Sequence, residues 1–408
     1  MKYEEMKYEL EVLSPVHIGT GDAFSPADFI ISADRFIVFN IEKFFKSNPE
    51  RVDEFVKEIE AKGSKFSLND FLNDKEIKNE ESWIYSENIE SSTKDLISRQ
   101  IEEGRMADVQ QFIKTAKGEL YIPGSSIKGA IRTALAYQLL KDDDYSRNTL
   151  RQSPSGKLVE KLAFRGKEDD AKYDVLKMFE ISDSHAFKTT ELQVMHSRVL
   201  TTATSNSHSF WQLKRDRGTG KMRRVNPRYS IFEGVPQPKE GLIIKGSIGV
   251  NEKIAMRIKS NMGWSERSIN ILSVENIMKA CNNFSEEIIN FETSFLKQYS
   301  RPHILERKEV GADLTKIIEF YYSLRKKVNE FSKKEKECLL RLGWGSGWHG
   351  TTVGHLLQND QEFNFKKFRG RYGLGKPGIR EFPKTRRLVF EDGKPTYPLG
   401  WVKLKLGE

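Results

Sequence analysis

Lys128 and Arg132 lie four residues apart, just behind the breaker pair Pro123-Gly124 and two serines, Ser125 and Ser126. Apolar residues recur at Ile127, Ile131, Ala134, Leu135 and Leu139, close to a 3.6-residue period. The spacing predicts a helix over about 127–140, capped by Ser125 and Ser126, with both cations at the edge of its apolar stripe. A helix N-terminus carries unpaired amides and about half a positive charge, so it attracts phosphate. The chemistry suggested is anion binding. Amides of Gly124, Ser125, Ser126 and Ile127, with Lys128 and Arg132 beside them, would seat a nucleic-acid phosphate. A plain capped surface helix shows the same pattern, so the rest of the chain must decide.

Two further stretches bear on that choice. Residues 214–228 hold seven basic side chains (Lys214, Arg215, Arg217, Lys221, Arg223, Arg224 and Arg228) against one acid, with two glycines and little apolar content. This reads as a flexible loop between strands that contacts phosphate. Gly343-Trp-Gly-Ser-Gly-Trp-His-Gly350 matches GxGxxG, but a basic run follows where an acid-ended parallel strand should stand. It is read instead as a turn whose Gly345 and Gly347 let backbone come close to a phosphate or another chain, with Trp348 free to stack or pack. Gly19 and Gly21 allow a similar approach after the first strand.

Other chemistries find less support. Gly370-Arg-Tyr-Gly-Leu-Gly-Lys376 nearly matches a P-loop, but Pro377 stands where Ser or Thr must bind magnesium, which rejects ATP hydrolysis. None of the seven histidines (His17, His185, His196, His208, His303, His349, His355) falls in a metal-binding spacing. No metal and no cofactor are expected. His17 beside Gly19 and Lys128 would be the acid–base candidate for metal-free RNA cleavage. Asp22, Asp28 and Asp183 form no paired acidic motif.

The elements that must carry these residues come from a 408-residue chain of net charge +9 and 38% hydrophobic content. These values suggest a soluble two-domain protein. With no apolar leader or long apolar run, a cytoplasmic location is expected, with no membrane partner. Cys281 and Cys338 are expected as buried thiols. Strands are predicted at 6–13, 29–31, 36–39, 178–184, 192–202 and 337–342, and at 400–406 near the end. Segments 229–233 and 242–250 are read as a strand pair, with a domain boundary between them. From Glu50 to Arg105 there are 15 acids against 9 bases, so 41–105 reads as an acidic helical insertion. Residues 141–173 are expected to be a mobile loop. Helices are predicted at 265–282, 285–299, 312–328 and 351–357. From Phe363 to Arg387 there are nine bases against one acid, either an RNA contact or a packing element.

Four segments together resemble the RAMP superfamily of CRISPR-associated RNA-binding proteins. Leu13-Ser-Pro-Val-His-Ile-Gly-Thr-Gly21 is similar to its N-terminal signature and Ile122-Pro-Gly-Ser-Ser-Ile-Lys-Gly-Ala-Ile-Arg132 to its strand-to-helix motif. Glu180-Ile-Ser-Asp-Ser184 resembles its later strand end, and Gly343 to Trp348 its glycine-rich loop. More narrowly, Phe382-Pro-Lys-Thr-Arg-Arg387 and Pro398-Leu-Gly-Trp401 resemble the family of fifth subunits of type III-A Csm effector complexes. The resemblance implies an α+β fold of two ferredoxin-like (RRM-like) domains with helical insertions. These would be 1–235, carrying the acidic insertion, and 236–408, carrying a helical insertion and the glycine-rich loop.

The resemblance also implies a non-catalytic crRNA-binding subunit in antiviral defence, seated at the 3′ end of the guide. Its partners would be crRNA, with target RNA as a second candidate, the repeated backbone subunit and the small helical subunit. The target-cleaving aspartate of the backbone subunits is not carried over to Asp22 or Asp28. The rivals are a metal-independent crRNA-processing endoribonuclease using His17, the subunit gripping the 5′ handle, and a scaffold that binds only protein.

Overall fold

The computed structural model describes residues 4–105, 107–205, 208–216, 226–227, 229–236, 242–299, 303–305, 308–310, 312–375 and 381–407. Helices and sheets are mixed along the chain. A five-stranded sheet runs in the order Glu337–Arg341, Trp401–Leu406, Glu4–Val12, Ile244–Val250, Phe179–Ile181, with every neighbour antiparallel. Tyr8, Leu10 and Val12 alternate with charged residues, so one strand face is apolar. They stand opposite Leu406, Leu404 and Val402 of the last strand, apolar pairs worth about 0.2–1 kcal/mol each. Glu9, on the other face, lies between Lys245 and Lys405 at 3.3 and 3.8 Å.

Two helices cover the apolar face. Gly124–Lys141 packs against Val274–Gln298, which also lies on the Glu337–Arg341 strand. Ile127, Ile131 and Leu135 are fully buried between them, each burial contributing about 1.5–3 kcal/mol. Cys281 and Cys338 are buried and free in the same core.

A ten-stranded sheet curls beside the first. Its centre, Gln193–Ser205, pairs antiparallel with Tyr229–Gly234, Thr385–Glu391 and His208–Leu213. Two of its residues pair parallel with the end of Trp83–Ile89, which leads on to the hairpin Arg35–Phe39 and Phe29–Ser32. The hairpin turns at Ala33, whose φ is +54°. On the far side come Val109–Phe112 and Gly19–Phe24.

Several local expectations need correction. The key helix begins at Gly124, with Pro123 at its cap position, so Ser125 and Ser126 lie inside the first turn and do not cap it. Residues 141–173 are not a loop. They hold helices Asp144–Gln152 and Gly156–Phe164, capped by the side chains of Asp143 and Ser155, which accept from Ser146 N and Leu158 N. The acidic stretch 41–105 is not purely helical, because Trp83–Ile89 joins the large sheet. Tyr229–Gly234 and Ile244–Val250 lie in different sheets and do not pair. One helix, Val274–Gln298, replaces the two predicted over 265–299 apart from a short turn at Glu266–Asn270. Two short helices, Gly347–Thr351 and His355–Gln358, stand where one was predicted. Among the described residues, no helix is long and apolar enough to cross a membrane.

Candidate nucleic-acid interface

The Ile122–Arg132 segment meets the Glu180–Ser184 segment. Ile122 N donates to Ser184 Oγ at 2.9 Å, and Ser184 N donates to Ile122 O at 2.9 Å. Gly124 is forced by this contact, since a Cβ there would stand 2.2 Å from Ile181 O and 2.6 Å from Ser182 O. Its amide donates to Asp183 Oδ1 at 2.8 Å. A carboxylate of the chain itself thus occupies the positive end of the helix. Ser125 is exposed and Ser126 half-buried, while Ile127 is core.

The two cations of this helix are engaged within the fold. Lys128 Nζ donates to Phe179 O at 2.6 Å. Burial pulls its pKa down, and the nearby Asp174 carboxylate opposes that shift. Arg132 pairs with Glu160 and with Asp174, the latter at 2.7 Å, and its guanidinium lies 4.3 Å from the centre of the Phe164 ring. Glu160 belongs to one of the helices that replaced the expected loop.

A second centre gathers three segments from the two ends of the chain. Trp344 N donates to His17 O, Leu342 N to Gly400 O, and Gly400 N to Pro15 O, all within 2.9 Å. The Leu13–Gly21 signature, the glycine-rich turn and the Pro398–Trp401 tail therefore form one assembly. Gly343 has a φ of +71°, and a Cβ there would stand 2.4 Å from His17 O. At Gly345, φ is +85° and Leu399 Cδ1 would be 2.5 Å away. Gly347 is exposed, with a φ of +73° and open space around it. Trp348 is half-buried, with ring centres of Phe382 and Phe365 at 4.9 and 6.0 Å. It packs rather than standing open.

His17 lies behind this turn and is only 2% exposed. Its Nδ1 donates to Glu233 O at 2.6 Å, and its ring sits among Phe112, Phe232 and Trp344. Burial lowers its pKa. Gly19 is required here, because a Cβ would stand 2.8 Å from His17 Nε2, whereas Gly21 has open space and a φ of +99°.

Sequence reasoning gave no specific role to the arginines beside the turn. Arg341, Arg386 and Arg387 line a cavity of about 280 Å³ together with Lys214 and the turn residues Gly345 to His349. Arg387 lies 4.2 Å from the centre of the Trp344 ring and donates to Ser230 Oγ at 2.8 Å. The adjacent Arg386-Arg387 pair next to Pro383 was the available signal. Of the basic stretch 214–228, Lys214 is half-buried on this cavity, and Arg215 lies in a two-residue strand. Arg217, Lys221, Arg223 and Arg224 lie outside the described residues. Among the described residues, no group of three or more His, Cys, Asp or Glu is placed for a metal ion.

A profile of the RAMP superfamily matches residues 9–354. The CRISPR system protein Csm5 of Methanocaldococcus jannaschii is 27% identical over 444 aligned positions, covering 99% of this chain and 89% of that protein. The Csm5 of Streptococcus thermophilus is 30% identical over 198 positions, covering 47% of this chain and 54% of that protein. Among solved structures, one chain of a Csm–crRNA–target RNA ternary complex of a type III-A CRISPR-Cas system superposes with a TM-score of 0.66 at 23% identity. That match covers 98% of this chain and all of the other. The crystal structure of T. onnurineus Csm5 gives 0.62 at 20% identity, covering 97% and 99%. At these identities the two structures speak for the fold.

Proposed function

The chain belongs to the RAMP superfamily, and from that premise we propose that it is a non-catalytic crRNA-binding subunit of a type III-A Csm effector complex. In this reading it caps the 3′ end of the guide in the cytoplasm and contacts the repeated backbone subunit and the small helical subunit. Target RNA would lie along the same assembly. The observation that carries the proposal is that the first signature and the tail hold the glycine-rich turn, which lines a cavity whose described residues include Lys214, Arg341, Arg386 and Arg387 and one carboxylate, Glu292. Such a surface neutralises phosphates without reading bases, so pairing by the guide would supply sequence.

RNA contact is assigned first to Lys214, the exposed Gly347 and the basic stretch containing Arg215, Arg217, Lys221, Arg223 and Arg224. Gly21, Ser125 and Ser126 would add polar or backbone contacts. Lys128 and Arg132 contribute less, because Phe179 O, Glu160 and Asp174 already engage them. The halves 1–235 and 236–408 are read as ferredoxin-like units sharing the five-stranded sheet. That sheet takes strands from both sides of residue 235.

The endoribonuclease reading requires a histidine that reaches the RNA 2′-hydroxyl. The burial of His17 and the engagement of its Nδ1 speak against it in that role. Cross-linking in the reconstituted complex, with photoreactive groups at the guide's 3′ end or its 5′ handle, tests the proposal. Adducts are expected from the 3′ probe. Adducts from the 5′ probe alone would favour the handle-gripping subunit, and His17-dependent cleavage of repeat RNA in EDTA would favour the nuclease.

A further inference from the structure

The cavity behind the glycine-rich turn is richer in unmet hydrogen-bonding capacity than a surface for passing backbone needs. Arg386, 9% exposed, pairs through Nε with Glu292 and donates through Nη1 to Pro383 O and Thr385 O. Its Nη2 is buried with no hydrogen-bond partner. A buried donor left unpaired costs about 1–3 kcal/mol, more when charged, so it marks where an acceptor belongs. Among the described residues, Arg341 donates to the carbonyls of Leu399 and Gly345. Among the described residues lining the cavity, Lys214, Arg341 and Arg386 stand with one carboxylate, Glu292. That charge balance calls for an anion.

His349 supplies the opposite demand. It is 3% exposed and its Nε2 lies 2.8 Å from Gln358 Oε1. Gln358 Nε2 donates to Phe382 O at 2.7 Å, which fixes the amide with its oxygen towards the imidazole. The imidazole proton therefore sits on Nε2, and Nδ1 is a bare acceptor. Nδ1 is buried and has no partner. Burial holds the ring neutral, with its pKa pushed down to about 4. The cavity thus offers cationic donors and one neutral acceptor. Val199, Leu296 and Leu388 give it an apolar wall.

We infer that this cavity binds one ribonucleotide, its phosphate on Arg386 and the neighbouring cations and a ribose hydroxyl donating to Nδ1 of His349. The volume of about 280 Å³ admits a single nucleotide rather than a run of them. This deepens the RNA-binding reading and rests on it for the source of the nucleotide, the last residue of an RNA strand. A free mononucleotide presents the same chemistry.

Calorimetric titration of the full chain with AMP, adenosine and inorganic phosphate tests the site. AMP is expected to bind at least about tenfold more tightly than adenosine or phosphate, and 2′,3′-dideoxy-AMP to lose most of that gain. R386K keeps the charge facing Glu292 and removes Nη2, and should weaken AMP about tenfold. K214Q, on the cavity rim, should weaken it severalfold and serves if R386K fails to fold. A short RNA with a free 3′ end should displace AMP, whereas the same RNA with a bulky 3′ block should not. AMP binding that neither RNA displaces would keep the pocket and assign it to free nucleotide. Equal binding of AMP, adenosine and phosphate, or unchanged AMP binding in both variants, overturns the inference. Loss of AMP binding with guide binding intact sinks the pocket alone, and AMP binding without any guide binding sinks the subunit proposal alone.

Discussion

At the start of the Gly124–Lys141 helix, Lys128 and Arg132 meet a carbonyl and two carboxylates, and Asp183 occupies the helix end. Behind the glycine-rich turn, the described residues lining the cavity include Lys214, Arg341, Arg386 and Arg387 and one carboxylate, Glu292. The first centre looked the stronger phosphate seat in sequence, because its cations sit beside a helix terminus. In space its charges are answered by residues up to 59 positions away. Whether a cation is available to a ligand depends on partners that local spacing does not reveal.

The comparison predicts opposite responses to mutation. The largest effect is expected at Gly124. Gly124→Ala drives a methyl into the carbonyls of Ile181 and Ser182 and should cost about 3 kcal/mol of stability by denaturant midpoint. Gly347→Ala meets no atom within 4 Å and should cost only the strain of a positive φ, about 1 kcal/mol. Equal losses at the two glycines would erase the contrast between a closed and an open centre.

Arg132→Ala leaves Glu160 and Asp174 partly buried without their cation and should destabilise by about 2 kcal/mol, while guide affinity changes little. A filter-binding assay showing a large affinity loss in a stable protein would restore the helix as the main seat.

Acid should strain the fold through buried histidines, one of which, His349, lines the cavity behind the glycine-rich turn. His196 and His349 are held neutral to about pH 4 and His355 to about pH 3, chiefly by burial. Their folded values lie below the usual 6.5, so the unfolded chain gains protons first as pH falls. The stability is full above pH 6.5 and is lost from there towards pH 4. At pH 5.5 each histidine should cost about 1.4 kcal/mol. His355→Phe, which keeps a ring stacked on Tyr137, should remove one such share of the difference between unfolding at pH 7.5 and pH 5.5. An unchanged difference would mean that His355 already carries its proton in the fold.

The smallest effect on stability belongs to Lys214. Lys214→Ala should leave unfolding within about 0.5 kcal/mol. It should weaken guide binding by about 1 kcal/mol across sequences and lower the salt slope by about one. A sequence-dependent loss would mean that this side chain reads bases.

The legible parts of the chain were those whose signals are local. The apolar period at Ile127 to Leu139 marked its helix, alternation marked Glu4–Val12, and short apolar stretches marked the Phe29–Phe39 hairpin, Glu337–Arg341 and Trp401–Leu406. The helices within 141–173 were hidden by Asp, Ser, Lys and Gly, although Asp143 and Ser155 stood as caps before Leu150 and the run Leu158, Val159, Leu162. Trp83–Ile89 was obscured by its acidic surroundings and by Glu87, a carboxyl fully buried inside the strand. Burial and the neighbouring Glu233 carboxylate raise its pKa well above the usual range, an arrangement no periodicity predicts. The candidate site was half visible. Its glycines and Trp348 stood out, but Arg341, Arg386 and His349 gain their meaning only when the tail folds back on the turn.

The strand Glu4–Val12 lies between Ile244–Val250 and Trp401–Leu406. The second of these neighbours follows it in the chain only after residues 13–400, so during synthesis it is made long after the strand it completes. Until that neighbour is made, the nascent chain exposes an unpaired sheet margin, the kind of surface that chaperones shield and that seeds aggregation. Release short of residue 401 would leave that margin permanently open, so supply of this polypeptide to any assembly should be all or none.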